Sequence, residues 1–219
     1  MVNRTAIYTC ITDGYNILRP HPEIDGVDWI AFVDQDTPSL GWNVHRVQPP
    51  VGMTPRRVAK HFKMRPDVVL PEYDRSIWID GTVRVDSPTF AEEAMSWTSG
   101  SGIAMFIHPE RDDIWDEADV SLTMPKYQDE RIISQVAYYF SQGLPRHSGL
   151  WCGGIIARQH TDLVRQLGEM WLGEVDKWSI QDQLSLPFCL RELGIIPGGF
   201  PASLYNNPWL TVTGHNPNQ

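Results

Sequence analysis

Several short apolar runs in this sequence end abruptly in aspartate. The runs are rich in β-branched and aromatic residues, which favour strands, while Asp and Gly favour the turns after them. The runs and their final polar residues are residues 5–12 with Asp13 and Gly14, residues 27–36 with Asp34 and Asp36, and residues 75–80 with Asp80 and Gly81. A chain built this way must pack several short buried strands against other elements.

Segments with helical spacing separate the strands. Thr54 with Pro55, Ser87 with Pro88, Thr161 and Ser179 are typical helix starts. The expected helices are residues 54–65, 87–97, 128–143, 161–178 and 179–193, the further strands are residues 102–107 and 150–157, and the tail 194–219 is mostly loop. This alternation predicts an α/β fold with a mostly parallel sheet and helices on both faces. At 219 residues one domain, 1–219, is expected.

Charge and cysteine content exclude some classes of protein. The formal net charge of −9 disfavours a protein that coats nucleic acid or an anionic membrane. Cys10, Cys152 and Cys189 form no C-x-x-C pair, so we expect buried thiols in a reducing compartment. No signal peptide or membrane span is visible, and we therefore expect a soluble, cytoplasmic protein without a membrane partner.

The acids that end the strands have two interpretations. They either form the turns after the strands or collect at one sheet edge as a ligand site. The second interpretation follows from the rule that ligands of α/β sheets bind beyond the carboxyl ends of the strands. There they would hold a divalent cation or ribose hydroxyls. The positions at this edge are residues 12–15, 34–36, 80–82 and 108–111.

A basic run, residues 56–65 (RRVAKHFKMR), precedes the Asp80 strand in this otherwise acidic chain. Arg56, Lys60 and Lys63 share one helix face, which either is solvated or neutralises a diphosphate. The chain has no P-loop, no G-x-G-x-x-G and no G-x-S-x-G motif. The remaining pattern suits a ligand that carries hydroxyls and phosphates together.

Seven motifs in order resemble a known family. They are AIYTCITDGYNIL, FVDQDT, RRVAKHF, SIWIDGTVRV, HPERDDIWDEA, QGLP with GLWCGGIIAR, and WLGEVDKWSIQDQLS, between residues 6 and 186. The chain resembles the glycosyltransferase-like domain of plant mucilage and turgor-regulation proteins and their bacterial and viral relatives. The resemblance implies a GT-A type, Rossmann-like fold, with a nucleotide-sugar half (1–110) and an acceptor half (111–219).

The resemblance also implies a donor site. Its expected residues are Thr9, Thr12, Gly14, Tyr15, Asp34, Arg57, Lys60, Asp80 and Gly81. Asp80 takes the place of the first acid in the Asp-x-Asp signature that holds Mn²⁺ or Mg²⁺ in many GT-A enzymes. Thr82 stands where the second acid would be, and His215 resembles a late metal-binding histidine. The implied metal ligands are Asp80 and His215, in an incomplete signature.

Asp182 and Gln183 take the catalytic positions of the resemblance, with Asp182 as the base for the acceptor hydroxyl. The alternative is structural, since Ser179 and Asp182 have the spacing of a capping box. The expected acceptor-binding residues are His108, Arg111, Trp151, Gly153 and Gly154. His108 and Arg111 either touch substrate or tie their loop to Asp116 or Glu117.

The resulting hypothesis is a glycosyltransferase, a hexosyl- or pentosyltransferase, that moves a sugar from a nucleoside diphosphate to an acceptor hydroxyl. UDP is the first nucleotide to test. Glycan, protein, small molecule and, less favoured, modified nucleic acid stay open as acceptors. One alternative is a non-catalytic carbohydrate-binding or assembly protein on the same fold, which Thr82 supports. Another is a nucleotidyltransferase or nucleotide-sugar hydrolase.

Overall fold

Strands and helices alternate along most of the chain. The computed structural model describes residues 4–214. The strands are β1 Thr5–Ile11, β2 Val27–Val33, β3 Asn43–Arg46, β4 Arg75–Ile79, β5 Val83–Val85, β6 Ile103–Ile107, β7 Trp151–Gln159, β8 Gly198–Gly199 and β9 Leu210–Val212. The helices are α1 Pro55–Met64, α2 Pro66–Val69, α3 Phe90–Ser96, α4 Ile114–Leu122, α5 Ile132–Ser141, α6 Asp162–Lys177 and α7 Asp182–Glu192, with a 3-10 turn at Pro125–Tyr127.

One sheet has the order β3-β2-β1-β4-β7-β6-β8, and β5 pairs separately with β9. The first four strands of this order are parallel, β7 is antiparallel to both neighbours, and β6 is parallel to β8. The predicted α/β class with a mostly parallel sheet is confirmed. Because β7 is reversed, its first residues lie at the same sheet edge as the carboxyl end of β4. There the Asp80 amide donates to the Gly154 carbonyl at 2.8 Å.

The two sheet faces pack against different layers. Alternate residues of β1 point to opposite faces, so Tyr8 joins one core and Ile7 the other. Helices α1 and α4 to α7 cover the Tyr8 face, whereas α3 and the β5–β9 pair cover the Ile7 face. All seven residues of β1 are buried, as expected for a strand covered on both faces.

Local signals locate some helix starts correctly. The Thr54 hydroxyl accepts a bond from the Arg57 amide at the start of α1, and Thr161 caps α6 by accepting from the Val164 amide. The start predicted at Ser87 is wrong, because α3 begins at Phe90 after Thr89. Ser87 instead forms a hydrogen bond with the Thr89 hydroxyl.

The start predicted at Ser179 is also wrong. Helix α7 begins at Asp182, and the buried Ser179 hydroxyl donates to the Gln135 side chain at 2.5 Å. No capping box joins Ser179 to Asp182, so the capping-box interpretation of Asp182 is wrong. The packing of α5 against this segment gives Ser179 a better partner than the helix end.

Several elements were not predicted. Strand β3 is short and largely exposed, so it lacks a run of apolar residues. Helix α4 begins after Asp113, whose carboxylate accepts from the Trp115 amide at 2.7 Å. The tail is mostly loop, as expected, but it contributes β8 and β9 through pairing with distant strands.

Other expectations concern cysteines and membranes. Cys10, Cys152 and Cys189 are buried and free, as predicted. Across residues 4–214, no helix combines the length and the apolar character that a membrane crossing requires.

The division into halves at residue 110 stays a prediction. The sheet continues across it, since β4 pairs with β7.

Candidate active site

A cavity of about 640 Å³ opens at the carboxyl ends of β1 and β4. Helix α1, the first residues of β7, the start of α7 and the 3-10 turn contribute to its walls. This is the sheet edge at which α/β proteins bind ligands. The volume is in the usual range of small-molecule sites.

Two lysines and one aspartate form the floor of this cavity. The ammonium of Lys63 lies 2.5 Å from Asp182 Oδ2, and that of Lys60 lies 2.9 Å from the same oxygen. The side chains of Lys63 and Asp182 are only 3% and 5% exposed. Leaving one such buried charge without its partners would be costly, so the three groups depend on one another.

The three charges change one another's proton affinity. Burial by itself would raise the pKa of Asp182, but Lys60 and Lys63 hold it well below the ordinary range. Burial lowers the pKa of Lys60 despite Asp182, and the charge of Lys63 lowers it further. Burial would also lower the pKa of Lys63, yet Asp182 and Asp80 outweigh it and raise that pKa. Asp182 is therefore a carboxylate, and a weak base, while both lysines face it.

Two neighbours keep these side chains in place. A Cβ atom on Gly153 would lie 2.8 Å from Lys63 Nζ and 3.5 Å from Asp182 Oδ2, so only glycine leaves the lysine enough space. The Trp171 indole donates to the Asp182 carbonyl at 2.9 Å. Trp171 is fully buried and thereby fixes the first residue of α7.

Asp80 stands beside the lysine pair at the end of β4. Its Oδ1 accepts from the Trp78 indole at 2.6 Å and lies 3.8 Å from Lys63 Nζ. The Asp80 side chain is 42% exposed, and Oδ2 would be 3.6 Å from a Cβ on Gly154. Asp80 therefore presents one oxygen toward the cavity and uses the other within the protein.

These residues are a poor donor set for Mn²⁺ or Mg²⁺. Between residues 4 and 214, no three or more His, Cys, Asp or Glu side chains are grouped to hold a metal ion. His215, the other expected ligand, lies outside the described residues. Asp80 has the Lys63 ammonium next to it, whereas divalent cations prefer several oxygen ligands and no adjacent positive charge.

A second pair of cations lies on the cavity wall. The Arg56 guanidinium lies 5.0 Å from the ring centre of Tyr15, and Lys126 Nζ lies 4.8 Å from that of Tyr127. Neither cation forms an ion pair with a carboxylate of residues 4–214. Burial lowers the pKa of Lys126, and the charge of Arg56 lowers it further. Four cations thus line this cavity of an acidic chain, together with the carboxylates of Asp13, Asp80 and Asp182.

The structure brings together about half of the residues predicted for the site. Those that line the cavity are Thr12, Tyr15, Lys60, Asp80, Gly81, Gly153, Gly154, Asp182 and Gln183. Those that lie outside its lining are Thr9, Gly14, Asp34, Arg57, His108, Arg111 and Trp151.

Arg57 points away from the cavity. Its guanidinium lies 3.3 Å from the Glu130 carboxylate and donates to the Val175 carbonyl at 3.0 Å. Its neighbour Arg56 lines the cavity instead. Helical spacing had placed Arg56 with Lys60 and Lys63 on one face, and this face is the one turned to the cavity.

Two other outlying residues, Asp34 and Trp151, hold cavity residues in place. Asp34 accepts a bond from the Asp13 amide at 2.8 Å and so holds the turn after β1. Thr9 is buried within β1. The Trp151 carbonyl accepts from the Gln183 amide at 3.0 Å, which orients a cavity residue.

His108 and Arg111 belong to a polar network behind the cavity. Arg111 Nε donates to Glu117 at 2.7 Å, and the Gln181 amide donates to the other Glu117 oxygen at 2.7 Å. His108 Nε2 lies 3.1 Å from Arg111. Of the two interpretations, the tie to Glu117 is the one this geometry matches. Burial raises the pKa of Glu117 although Arg111 opposes the shift.

Several cavity residues are not among the site residues that the resemblance implied. They include Arg56, Lys63, Trp78, Lys126, Tyr127 and Gln181. Arg56 and Lys63 were detectable from the helical spacing of the basic run. Lys126 and Tyr127 belong to a short 3-10 turn without a motif, so nothing local indicated their role.

Comparison with known proteins decides the family. The model of the TOD1/MUCI70 glycosyltransferase-like domain matches residues 31–204. The chain belongs to this family. The TOD1/MUCI70 match confirms the resemblance found in the ordered motifs and identifies the chain as a glycosyltransferase-like domain.

A curated relative supports the same family. The chain is 30% identical over 139 residues to the probable hexosyltransferase MUCI70 of Arabidopsis thaliana. That alignment covers 59% of this chain and 24% of the relative. The chain thus spans about a quarter of the length of the curated relative it matches.

Proposed function

We propose that this chain transfers a sugar, a hexose by analogy with its relative, from a nucleoside diphosphate to an acceptor hydroxyl. The observation that carries the proposal is the cationic cavity, with Lys60 and Lys63 gathered on Asp182 in a glycosyltransferase-like domain. A diphosphate is the part of a nucleotide sugar that such a site would bind most strongly.

The donor diphosphate would lie between the two pairs of cations, Lys60 with Lys63 and Arg56 with Lys126. All four line the same cavity. Tyr15 and Tyr127 would flank the nucleoside, since an aromatic ring offers a flat face to a base and a hydroxyl to a ribose. Gln183 and the open backbone at Gly154 would meet the sugar.

In the transfer step, the bond between the anomeric carbon and the diphosphate oxygen breaks, and its electron pair stays with the phosphate. The acceptor oxygen forms the new bond to that carbon and gives its proton to Asp182. The low pKa of Asp182 is a property of the donor-free cluster, in which two ammonium groups face it. A bound diphosphate attracts the same lysines and raises the proton affinity of Asp182. Asp182 therefore becomes a base only when donor is present.

The test is a panel of nucleotide sugars, including UDP-sugars, incubated with sugar, peptide and nucleic-acid acceptors. We expect release of nucleoside diphosphate together with a product heavier by one sugar. Release of nucleoside monophosphate or pyrophosphate would instead indicate a hydrolase or nucleotidyltransferase. Carbohydrate binding with no release from any donor would indicate a non-catalytic binding or assembly protein.

The compartment is also a proposal. Three buried free thiols suit a reducing environment, and we propose the cytoplasm as the place of action. Alkylation of the intact and the unfolded protein isolated from cells would reveal whether the thiols are reduced there.

A further inference from the structure

The ammonium of Lys63 occupies the neighbourhood of Asp80 in which a GT-A type metal would be expected. Lys63 Nζ lies 3.8 Å from Asp80 Oδ1 and 2.5 Å from Asp182 Oδ2. The side chain is 3% exposed, so this charge cannot move into solvent without repacking of α1. A divalent ion bound at Asp80 would therefore lie beside a buried positive charge.

We propose that the chain neutralises its donor diphosphate with side-chain cations and needs no divalent metal. This inference rests on the proposed function, because it concerns the same donor. It assigns two tasks to two pairs of cations, one pair for the charge that the donor brings and one for the charge that develops as the diphosphate leaves.

Arg56 and Lys126 would carry the first task. A nucleoside diphosphate sugar brings two negative charges, one on each phosphate. No carboxylate of residues 4–214 forms an ion pair with either cation, so their two charges are available to those phosphates. Both side chains line the cavity and keep close contact with tyrosine rings, which limits their freedom before the ligand arrives.

Lys60 and Lys63 would carry the second task. When the donor bond breaks, one more negative charge appears on the departing oxygen. An ammonium has three donors, and the ion pairs of Lys60 and Lys63 with one oxygen of Asp182 leave donors for the departing oxygen. Asp182 holds both groups at the cavity before the donor binds, so they are already close to the diphosphate when the charge develops.

Glycine at position 153 fits the same arrangement. A Cβ there would lie 2.8 Å from Lys63 Nζ, which is the nearest atom. Glycine at this position therefore leaves room for the Lys63 ammonium. The neighbouring Gly154 faces Asp80 Oδ2 at an ordinary contact distance of 3.6 Å.

The first experiment measures binding of inorganic pyrophosphate by calorimetry in EDTA and again in excess Mg²⁺. Pyrophosphate tests the cations without knowledge of the nucleotide. We expect binding in EDTA and about tenfold weaker binding for each of Arg56→Met and Lys126→Met. Arg165→Met is the matched control, since it removes one positive charge from the exposed surface of α6 and should leave the affinity unchanged.

Binding that needs Mg²⁺, no binding in either buffer, or equal binding by wild type and both cavity variants would each overturn the inference.

The second experiment follows transfer from the nucleotide-sugar panel in EDTA and in Mn²⁺. Turnover in EDTA close to that in Mn²⁺ is expected. Turnover only with Mn²⁺ would overturn the metal-free inference and leave the glycosyltransferase proposal intact. Metal-free pyrophosphate binding without transfer from any donor would overturn the glycosyltransferase proposal and leave the metal-free neutralisation of a diphosphate intact.

Discussion

Lys63 on α1 and Asp182 on α7 join two distant segments of the chain through a buried ion pair of 2.5 Å. Lys63 also approaches Asp80 at the end of β4, and Lys60 shares the Asp182 oxygen. The pair therefore ties together the segments that form the cavity. Its charges serve the packing of the domain as well as the proposed chemistry.

Replacing Lys63 with Met keeps the length of the side chain but removes its charge. We expect a loss of about 3 kcal/mol in the free energy of unfolding, because Asp182 loses one buried partner. Transfer should fall at least about 100-fold. Urea unfolding and donor turnover measure the two effects. In the double variant Lys63→Met with Asp182→Leu, stability should recover in part while transfer stays lost. Recovery of both would contradict the proposed role.

Asp182→Asn should lose transfer, because the amide cannot accept the acceptor proton, and should be less stable than the wild type, because Lys60 and Lys63 lose their carboxylate partner. The loss should be about 10² to 10⁴-fold in kcat. Nucleoside diphosphate release measures it, and circular dichroism checks the fold. Asp162→Asn is the control, since this carboxylate is 93% exposed at the start of α6 and does not line the cavity. Near-normal turnover in Asp182→Asn would remove Asp182 from the mechanism.

The glycine pair on β7 gives a matched comparison. Gly153→Ala should displace the Lys63 ammonium, since the new Cβ would lie 2.8 Å from Nζ, and should weaken pyrophosphate binding about tenfold. Gly154→Ala meets its nearest atom at 3.6 Å and should bind as the wild type does. Calorimetry compares the two variants, and equal affinities would argue against a fixed position for Lys63.

Alanine substitutions at two glycines of α6 should change the stability in opposite directions. A Cβ on Gly168 would lie 2.3 Å from the Met64 carbonyl of α1, so Gly168→Ala should destabilise the protein by about 2–3 kcal/mol. Gly173 is exposed, and a Cβ atom added there would have no neighbouring atom within 4 Å. Gly173→Ala should therefore stabilise the helix by about 0.5–1 kcal/mol. Urea unfolding of both variants measures the difference. A stable Gly168→Ala variant would mean that α1 and α6 are farther apart.

His160 predicts a pH dependence of stability. Burial, helped by the charge of Arg158, lowers the pKa of His160 from 6.5 to about 4. The unfolded chain therefore binds a proton at higher pH than the folded protein does. The contribution of neutral His160 to the free energy of unfolding is complete above about pH 6.5 and is lost as the pH falls toward 4. This change is on the order of 3 kcal/mol.

The His160→Gln variant isolates this contribution from that of the carboxylates. Its unfolding free energy, measured in urea at pH 4.5, 5.5 and 7, should fall less on acidification than that of the wild type. Identical slopes for the two proteins would show that His160 titrates normally in the fold. The bond between His160 Nε2 and the Ser76 hydroxyl, 2.9 Å long, is one that glutamine can replace.

Part of the site was accessible from local pattern. The face formed by Arg56, Lys60 and Lys63 follows from helical spacing and turns to the cavity as one unit. The resemblance assigned the donor role to Arg57, the neighbour of Arg56, but Arg57 binds Glu130 instead. The position of a residue along the helix determines the direction of its side chain, and a motif match does not show that direction.

The alternation of strands and helices, the caps at Thr54 and Thr161, and the family could all be predicted from the sequence, and the TOD1/MUCI70 match confirms the family. These features depend on neighbouring residues or on motif order. The antiparallel course of β7 beside β4 and the contact of Asp182 with Lys63 depend on tertiary packing and could not be predicted. Such contacts join residues far apart in the chain, and only the packing of α1 and α7 around the reversed strand brings their charges within bonding distance.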